Sequence, residues 1–289
     1  MTGAGKVKIG KFTEVPDVGV YMYNKIRYQI VDMPSIMEGA SSGIGNGREI
    51  LSALRNCDLI CLCVDLSRDF EPQLEHLLKE LSNANIRLNV SPPPVDIQKT
   101  GSHNIQVLFL SKEAKECIHL SDKIKEIISE NGIKHGIVKI FGKITIDQIV
   151  DALIPSVVYK KAIIIGTKGD LPRTSETFEN LKKVYSDKFP LIMGTSTLKN
   201  IVPDNFGEII LQFLEKIKIY TMANGIVAEI PLILDKGATI KEAALKIHKS
   251  FYELFDYAVI IRQGAIQKRK KVGLEFELDD NDIVELHSK

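Results

Sequence analysis

Alternating apolar positions over residues 25–31 predict a strand, and the run stops at Asp32-Met-Pro. A glycine-rich stretch follows over 39–47, and helical spacing returns over 48–55. Residues 58–65 are apolar on both faces, the pattern of a central parallel strand. Leu74, Leu77, Leu78 and Leu81 then recur at helical spacing within 70–83. From about 86 to 160 the rhythm breaks. Ser91-Pro-Pro-Pro94 excludes a regular element at that point. A strand (105–110), a helix (121–130), a strand (137–141) and a helix (146–153) then predict a compact inserted α+β subdomain. Strand and helix alternate again through 162–166, 175–186, 190–193 and 205–217, which predicts a parallel sheet covered on both faces. Beyond 218, two strands (218–221, 229–234), a helix (240–254) and two more strands (257–262, 283–286) make a separate β-grasp unit. The predicted organisation is an α/β domain over 1–217, interrupted at about 86–160, followed by a small domain over 218–289.

Composition narrows this only a little. The 289 residues are 44% apolar and 26% charged, ordinary for a chain that buries its own cores. A net charge of +1 gives no bulk attraction to nucleic acid or membrane, although a local patch is compatible with it. Cys61 and Cys63 lie two apart, on one face of the strand over 58–65, with Cys57 beside it and Cys117 far away. No second pair completes a zinc set, so buried free thiols in a reducing compartment are expected. No apolar run is long enough to cross a bilayer and no signal peptide opens the chain, so the expected location is the cytoplasm, with no membrane partner.

Two loops carry chemistry. Thr167-Lys-Gly-Asp170 follows a buried strand, where open α/β sheets bind ligands. An aspartate there can accept from the ring N–H and amino group of guanine, while a lysine stem lies along the base; adenine offers no matching donors. Asp32-Met-Pro-Ser35 also follows a strand. A carboxylate at a strand end can hold a nucleotide's magnesium through water, and the backbone N–H groups after it can meet a terminal phosphate. Alone, Asp32 reads better as an N-cap or turn residue before proline; two such motifs at strand ends, in this order, reverse that preference.

The stretch Asp32-Met-Pro-Ser-Ile-Met-Glu-Gly-Ala-Ser-Ser-Gly-Ile-Gly-Asn-Gly-Arg48 resembles the signature of the Obg superfamily of GTPases. Asn85-Ile-Arg-Leu-Asn89 before a proline run resembles the developmentally regulated GTP-binding (Drg) branch, which also carries an inserted subdomain. Lys216-Ile-Lys-Ile-Tyr-Thr221, Lys236-Gly-Ala-Thr239, Ile247-His-Lys249 and Asp280-Asn-Asp-Ile-Val-Glu-Leu-His287 resemble a TGS domain. The resemblance implies GTP or GDP as ligand with Mg2+, Asp32 linked to the metal and Thr13 as a switch threonine. It implies Lys168 and Asp170 reading guanine, Thr195 and Ser196 beside the base, and Thr167 and Ser35 in the two loops. Thr167 replaces the usual asparagine, Ser35 the usual glycine and Glu14 a second threonine; Ile36 stands where Ras-like enzymes have a catalytic glutamine.

A phosphate-binding loop of the form G-x-x-x-x-G-K-[ST] is the expected absence. Gly5-Lys-Val-Lys-Ile-Gly10-Lys11 mimics its first seven positions, but Phe12 replaces the hydroxyl and Pro16 forbids a helix immediately after. Thr2-Gly3 resembles the pair that closes the helix after such a loop in the family, and Phe12-Thr13 the pair that follows, so the resemblance implies that Met1 falls near the end of that helix. The implied fold is thus a truncated P-loop-type GTPase domain with an inserted α+β subdomain and a C-terminal β-grasp (TGS) domain. The implied function is a ribosome- or RNA-linked GTP switch with a Drg-family partner protein and impaired nucleotide binding and hydrolysis. The alternative is a pseudo-GTPase serving as a protein- or RNA-binding module. Lys268-Arg-Lys-Lys271, with Arg262 nearby, is either a solvated loop or an RNA contact.

Overall fold

The computed structural model describes residues 16–102, 104–262 and 269–289. It opens on an antiparallel hairpin, β1 (Asp17–Tyr23) and β2 (Ile26–Asp32). The turn residues Asn24 and Lys25 both have positive φ, the primed geometry whose twist suits a two-residue hairpin. After a 3₁₀ turn at Ala40–Ser42 come α1 (Gly47–Asn56), β3 (Leu59–Asp65), α2 (Glu71–Asn83) and β4 (Ile86–Leu88). Next are β5 (Val95–Lys99), β6 (Gln106–Phe109), α3 (Lys112–Lys115), α4 (Ser121–Glu130), β7 (Gly136–Ile140) and α5 (Ile146–Leu153). A capping box starts α5: the Thr145 hydroxyl accepts from Gln148 N–H, and the Gln148 side chain accepts from Thr145 N–H. β8 (Val158–Thr167), α6 (Thr174–Tyr185), β9 (Ile192–Gly194) and α7 (Phe206–Phe213) follow. The chain ends with β10 (Lys216–Ala223), β11 (Ile226–Val227), β12 (Leu232–Asp235), α8 (Ile240–Ile247), α9 (Lys249–Glu253), β13 (Phe255–Ile261), β14 (Arg269–Val272) and β15 (Ile283–Ser288).

Contacts divide the chain into two units. One comprises Ile36–Thr167 and Leu171–Met193; the other holds the hairpin, Lys168–Asp170 and Gly194–Lys289. In the first, β3, β8 and β4 lie in that order and parallel, with β9 also on β8. Ile60, Leu62, Val64 and Ile164 pack against Leu51 of α1, Leu74 and Leu81 of α2, and Leu181 of α6. All three helices thus contribute to the core on one face of β3. The other face carries Cys61 and Cys63, and both are exposed. The expectation of buried thiols fails for these two and holds for Cys117.

β4 is short but strongly held. It pairs with β8 from Ile86↔Val158 to Leu88↔Lys160, and Asn89 N–H extends the ladder to Lys160 O at 2.9 Å. Asn89 then turns left-handed (φ 54), and its side chain imitates the next ladder residue. Oδ1 accepts from Ala162 N–H at 2.8 Å, and Nδ2 donates to Ala162 O at 2.9 Å and Lys188 O at 3.0 Å. Between the asparagines, Arg87 grips Asp151 of α5 with two bonds, 2.9 and 2.8 Å. The chain continues through the prolines into a second sheet, β5-β7-β6, antiparallel on one side and parallel on the other. That subdomain has its own core, with Ile124, Ile128, Val138, Ile140 and Ile149 fully buried.

In the second unit the hairpin's aromatic face meets α7. Tyr21 stands edge-on to Phe206 with ring centroids 5.9 Å apart, and Tyr28 Oη donates to Gly207 O at 2.8 Å. Gly207 has no alternative, because a Cβ there would lie 2.5 Å from the Tyr23 ring. Burial, with Glu208 beside it, pushes the Tyr28 hydroxyl up to about 12. β10 pairs antiparallel with β12 and β11 and parallel with β15, which leads on to β13 and β14. Ile217, Ile219, Ile260, Leu278 and Val284 form the core beneath α8. Two expectations change here. The helix over 240–254 is broken at His248, whose extended backbone lets its ring cap the Ser250 N–H at 3.2 Å. The described part of the basic run is not a loop but β14, held by Arg269 to Glu285 at 2.9 Å and by Lys271 over the Tyr257 ring.

Candidate functional site

β8 delivers Thr167 to its carboxyl end, where the hydroxyl donates to Val64 O of β3 at 3.0 Å. This side chain ties two strand ends together. Lys168 takes up a left-handed conformation (φ 59) and is exposed. The next N–H, of Gly169, donates to Thr195 O at 2.9 Å, and a Cβ on Gly169 would come within 3.2 Å of the same oxygen. Glycine permits this approach of one loop to the other.

Ser196 donates from its hydroxyl to Asp170 Oδ1. That bond holds the Asp170 carboxyl below its ordinary range. Ser196 is itself fixed: it is 1% exposed, exchanges backbone bonds with Ile201 at 3.0 and 2.8 Å, and its hydroxyl accepts from Lys199 N–H at 3.2 Å. A carboxylate has about four acceptor positions, so the serine leaves Asp170 capacity for two further donors.

Asp32 ends β2 and faces Asp17 across the ladder. Ser35 lies three residues on, exposed, after the buried Pro34. The structure therefore brings Gly169, Asp170, Thr195 and Ser196 together and places Asp32 and Ser35 at the exit of the hairpin. Thr13, Glu14 and the 5–11 stretch lie outside the described residues. Among the described residues no group of three or more acidic, histidine or cysteine side chains could hold a metal alone. A single carboxylate together with a nucleotide's phosphates is a usual magnesium arrangement.

Sequence reasoning missed two residues of α2. His76 Nε2 is 2.9 Å from Ile36 O, and Glu80 accepts from Gly39 N–H at 3.0 Å and Ser41 N–H at 2.9 Å. The sequence carries no local signal for either, because Glu80 lies outside the apolar stripe of Leu74, Leu77, Leu78 and Leu81 and its partners are far away along the chain.

Three family matches follow one another along the chain. Residues 4–91 match the 50S ribosome-binding GTPase family, 105–215 the C-terminal region of that GTPase domain, and 217–288 the TGS domain. An uncharacterized GTP-binding protein of Methanocaldococcus jannaschii is 35% identical over 273 residues, covering 92% of this chain and 67% of that protein. The Developmentally-regulated G-protein 3 of Arabidopsis thaliana is 29% identical, over 94% of this chain and 72% of its own. Ribosome-interacting GTPase 1 of Saccharomyces cerevisiae is 27% identical, over 96% and 74%. The fold is shared with the Schizosaccharomyces pombe YchF GTPase at a TM-score of 0.50 and 15% identity, covering 99% of this chain and 91% of that one. No described helix is long and apolar enough to cross a membrane. The chain belongs to the Drg group of Obg-type GTP-binding proteins, in which a GTPase domain is followed by a C-terminal TGS domain.

Proposed function

We propose that this chain binds guanine nucleotides through Asp170 and acts as a slow GTP-dependent switch that engages the ribosome or RNA through its TGS domain. One observation carries the base assignment: the Asp170 carboxylate is oriented by a buried serine hydroxyl, while Gly169 N–H holds the Thr195 loop beside it. A fixed acceptor of this kind matches the two donors on guanine's edge and rejects adenine. Lys168 lies along the base, and Thr195 and Ser196 form its other wall. Asp32 holds Mg2+ through water, and Ser35 N–H meets the terminal phosphate.

Slow turnover is supported by the replacements. Ser35 keeps the N–H but lacks the conformational freedom of glycine. The Thr167 hydroxyl is spent on Val64 O and supplies none of the amide contacts that an asparagine makes there. The ribosome assignment is supported by the named activity of the yeast relative and by the family matched over residues 4–91.

Calorimetry with GDP and ADP in magnesium tests the base assignment. GDP should bind in preference to ADP, and Asp170→Asn should move the preference towards xanthosine diphosphate, because an acceptor becomes a donor. Equal affinities for GDP and ADP in the unmodified chain would refute it.

A further inference from the structure

The glycine-rich segment after Ser35 is closed on itself. Ala40 N–H donates to Met37 O, Gly43 N–H to Ala40 O and Ile44 N–H to Gly39 O, all within 3.1 Å. Gly39 and Gly43 have φ of +81° and +93°, values that a side chain resists. Ala40 is buried, and Gly47 passes so near it that a Cβ would lie 2.3 Å from Ala40 O.

Glu80 is the group that holds this closed segment from outside. It is 3% exposed, and among the described residues no lysine or arginine pairs with it. Its oxygens are instead divided between two backbone donors: Oε1 takes Gly39 N–H at 3.0 Å and Oε2 takes Ser41 N–H at 2.9 Å, with the Ser41 hydroxyl adding a further bond. One helical turn earlier, His76 bonds Ile36 O at the start of the same segment. The two side chains are four apart and share one face of α2. A carboxylate without a cation tolerates burial only while its hydrogen bonds persist. The charge and the segment's conformation are therefore coupled: if residues 39–41 leave, Glu80 must take up water or a proton.

We propose that Glu80, acting with His76 on the same segment, is an internal latch and positioning residue that sets whether the segment following Asp32-Met-Pro-Ser35 is closed or released. The segment runs directly on from the loop assigned to the terminal phosphate. Its response to nucleotide rests on the function proposed above; the latch does not.

Amide hydrogen exchange on the full chain reads the latch directly. In Glu80→Gln the carboxamide meets one of the two N–H groups with its own donor. Exchange at Gly39 and Ser41 should then accelerate about tenfold or more, with the amides of Ile163–Ile165 unchanged. Ser41→Ala, which removes only the hydroxyl bond, should accelerate the same two amides by less and keeps the test open if Glu80→Gln does not fold. Uniform acceleration across β8 and the segment would make Glu80 a general stabiliser and overturn the proposal, as would unchanged exchange at Gly39 and Ser41 in both variants. Adding GDP or GTP to the unmodified chain separates the two ideas. A nucleotide-dependent change at these amides supports the link to the phosphate loop. No change, with the variant result intact, leaves the latch standing and removes the link.

Discussion

Asn89 offers the sharpest test of how this fold is held. Its side chain supplies three hydrogen bonds to backbone groups, two of them on Ala162, which is fully buried in β8. Asn89→Ala removes all three and leaves the Ala162 N–H and C=O without the partners they had. A net bond contributes about 1 kcal/mol, and a buried group left unsatisfied costs about 1–3 kcal/mol. The left-handed backbone at φ 54 adds roughly 1 kcal/mol for alanine. The expected loss is about 3–5 kcal/mol, a large share of the roughly 5–15 kcal/mol that holds a domain. Asn89→Gly separates the causes, because it relieves the backbone and still lacks the amide; it should recover only about 1 kcal/mol. Asn89→Asp retains an acceptor for Ala162 N–H but turns a carboxylate towards two carbonyl oxygens, so it should be no better than alanine. The chain has no tryptophan, so urea unfolding is best followed by circular dichroism, with exchange at Ile163–Ile165 localising the effect. If Asn89→Ala unfolds within 1 kcal/mol of the parent, or if glycine restores full stability, the side-chain bonds are not what holds β4 to β8.

Three further outcomes rest on individual contacts. The Glu80 carboxyl is drawn down from 4.5 to about 2, first by Ser41 N–H, then by the Ser41 hydroxyl and Gly39 N–H. A depressed folded value means that its stabilisation is complete above the ordinary carboxylate value and disappears as pH falls towards about 2. Acid titration of stability should therefore show a component between about 4.5 and 2 that is absent in Glu80→Gln, and parallel profiles for the two proteins would contradict this. Gly47→Ala should destabilise the first unit by about 3 kcal/mol, because the added Cβ meets backbone atoms of Ala40 that cannot yield; an unchanged urea midpoint would count against it. Asp282 is fully buried, accepts from Arg262 at 2.8 and 2.6 Å and from Asp279 N–H at 2.9 Å. Asp282→Asn should cost the second unit about 2–3 kcal/mol, visible as a lower melting temperature, and unchanged melting would show that Arg262 finds another partner without penalty.

Where one face of an element meets a core and the other meets water, the chain announces it. The helices at Ser121–Glu130 and Ile146–Leu153 coincide with their apolar periodicity because each lays a single stripe on the subdomain core. β1 has no such contrast: Val18, Val20 and Met22 alternate with Tyr21 and Tyr23, so apolar character on both faces conceals the strand. β14 is hidden for the opposite reason. Its run of Arg269, Lys270 and Lys271 shows no alternation, and it becomes a strand through its antiparallel ladder to β13, with Tyr257 on that strand and Glu285 on β15, one strand further, holding its cations. Cys61 and Cys63 looked buried because an apolar run cannot reveal which of its faces will be covered.

At the candidate site the same distinction separates residue type from partnership. Lysine and aspartate after a buried strand carry their chemistry in their identities, so the loop from Thr167 to Asp170 stands out in the sequence. The bond from Ser196 to Asp170 spans 26 positions, and those from Gly39 and Ser41 to Glu80 span 41 and 39. No local pattern encodes such contacts; they exist because folding brings segments distant in sequence together. Asn85-Ile-Arg-Leu-Asn89 illustrates the difference between a family signature and a binding site. The motif points to the Drg group, yet its asparagines place left-handed turns at both ends of β4 and complete the ladder to β8, while its arginine anchors α5. None of these atoms belongs to the loops proposed to hold the nucleotide. A signature can thus mark a family of GTP-binding proteins because the backbone has few ways to pass from the main sheet into an inserted subdomain, and these residue types satisfy the buried groups on the way.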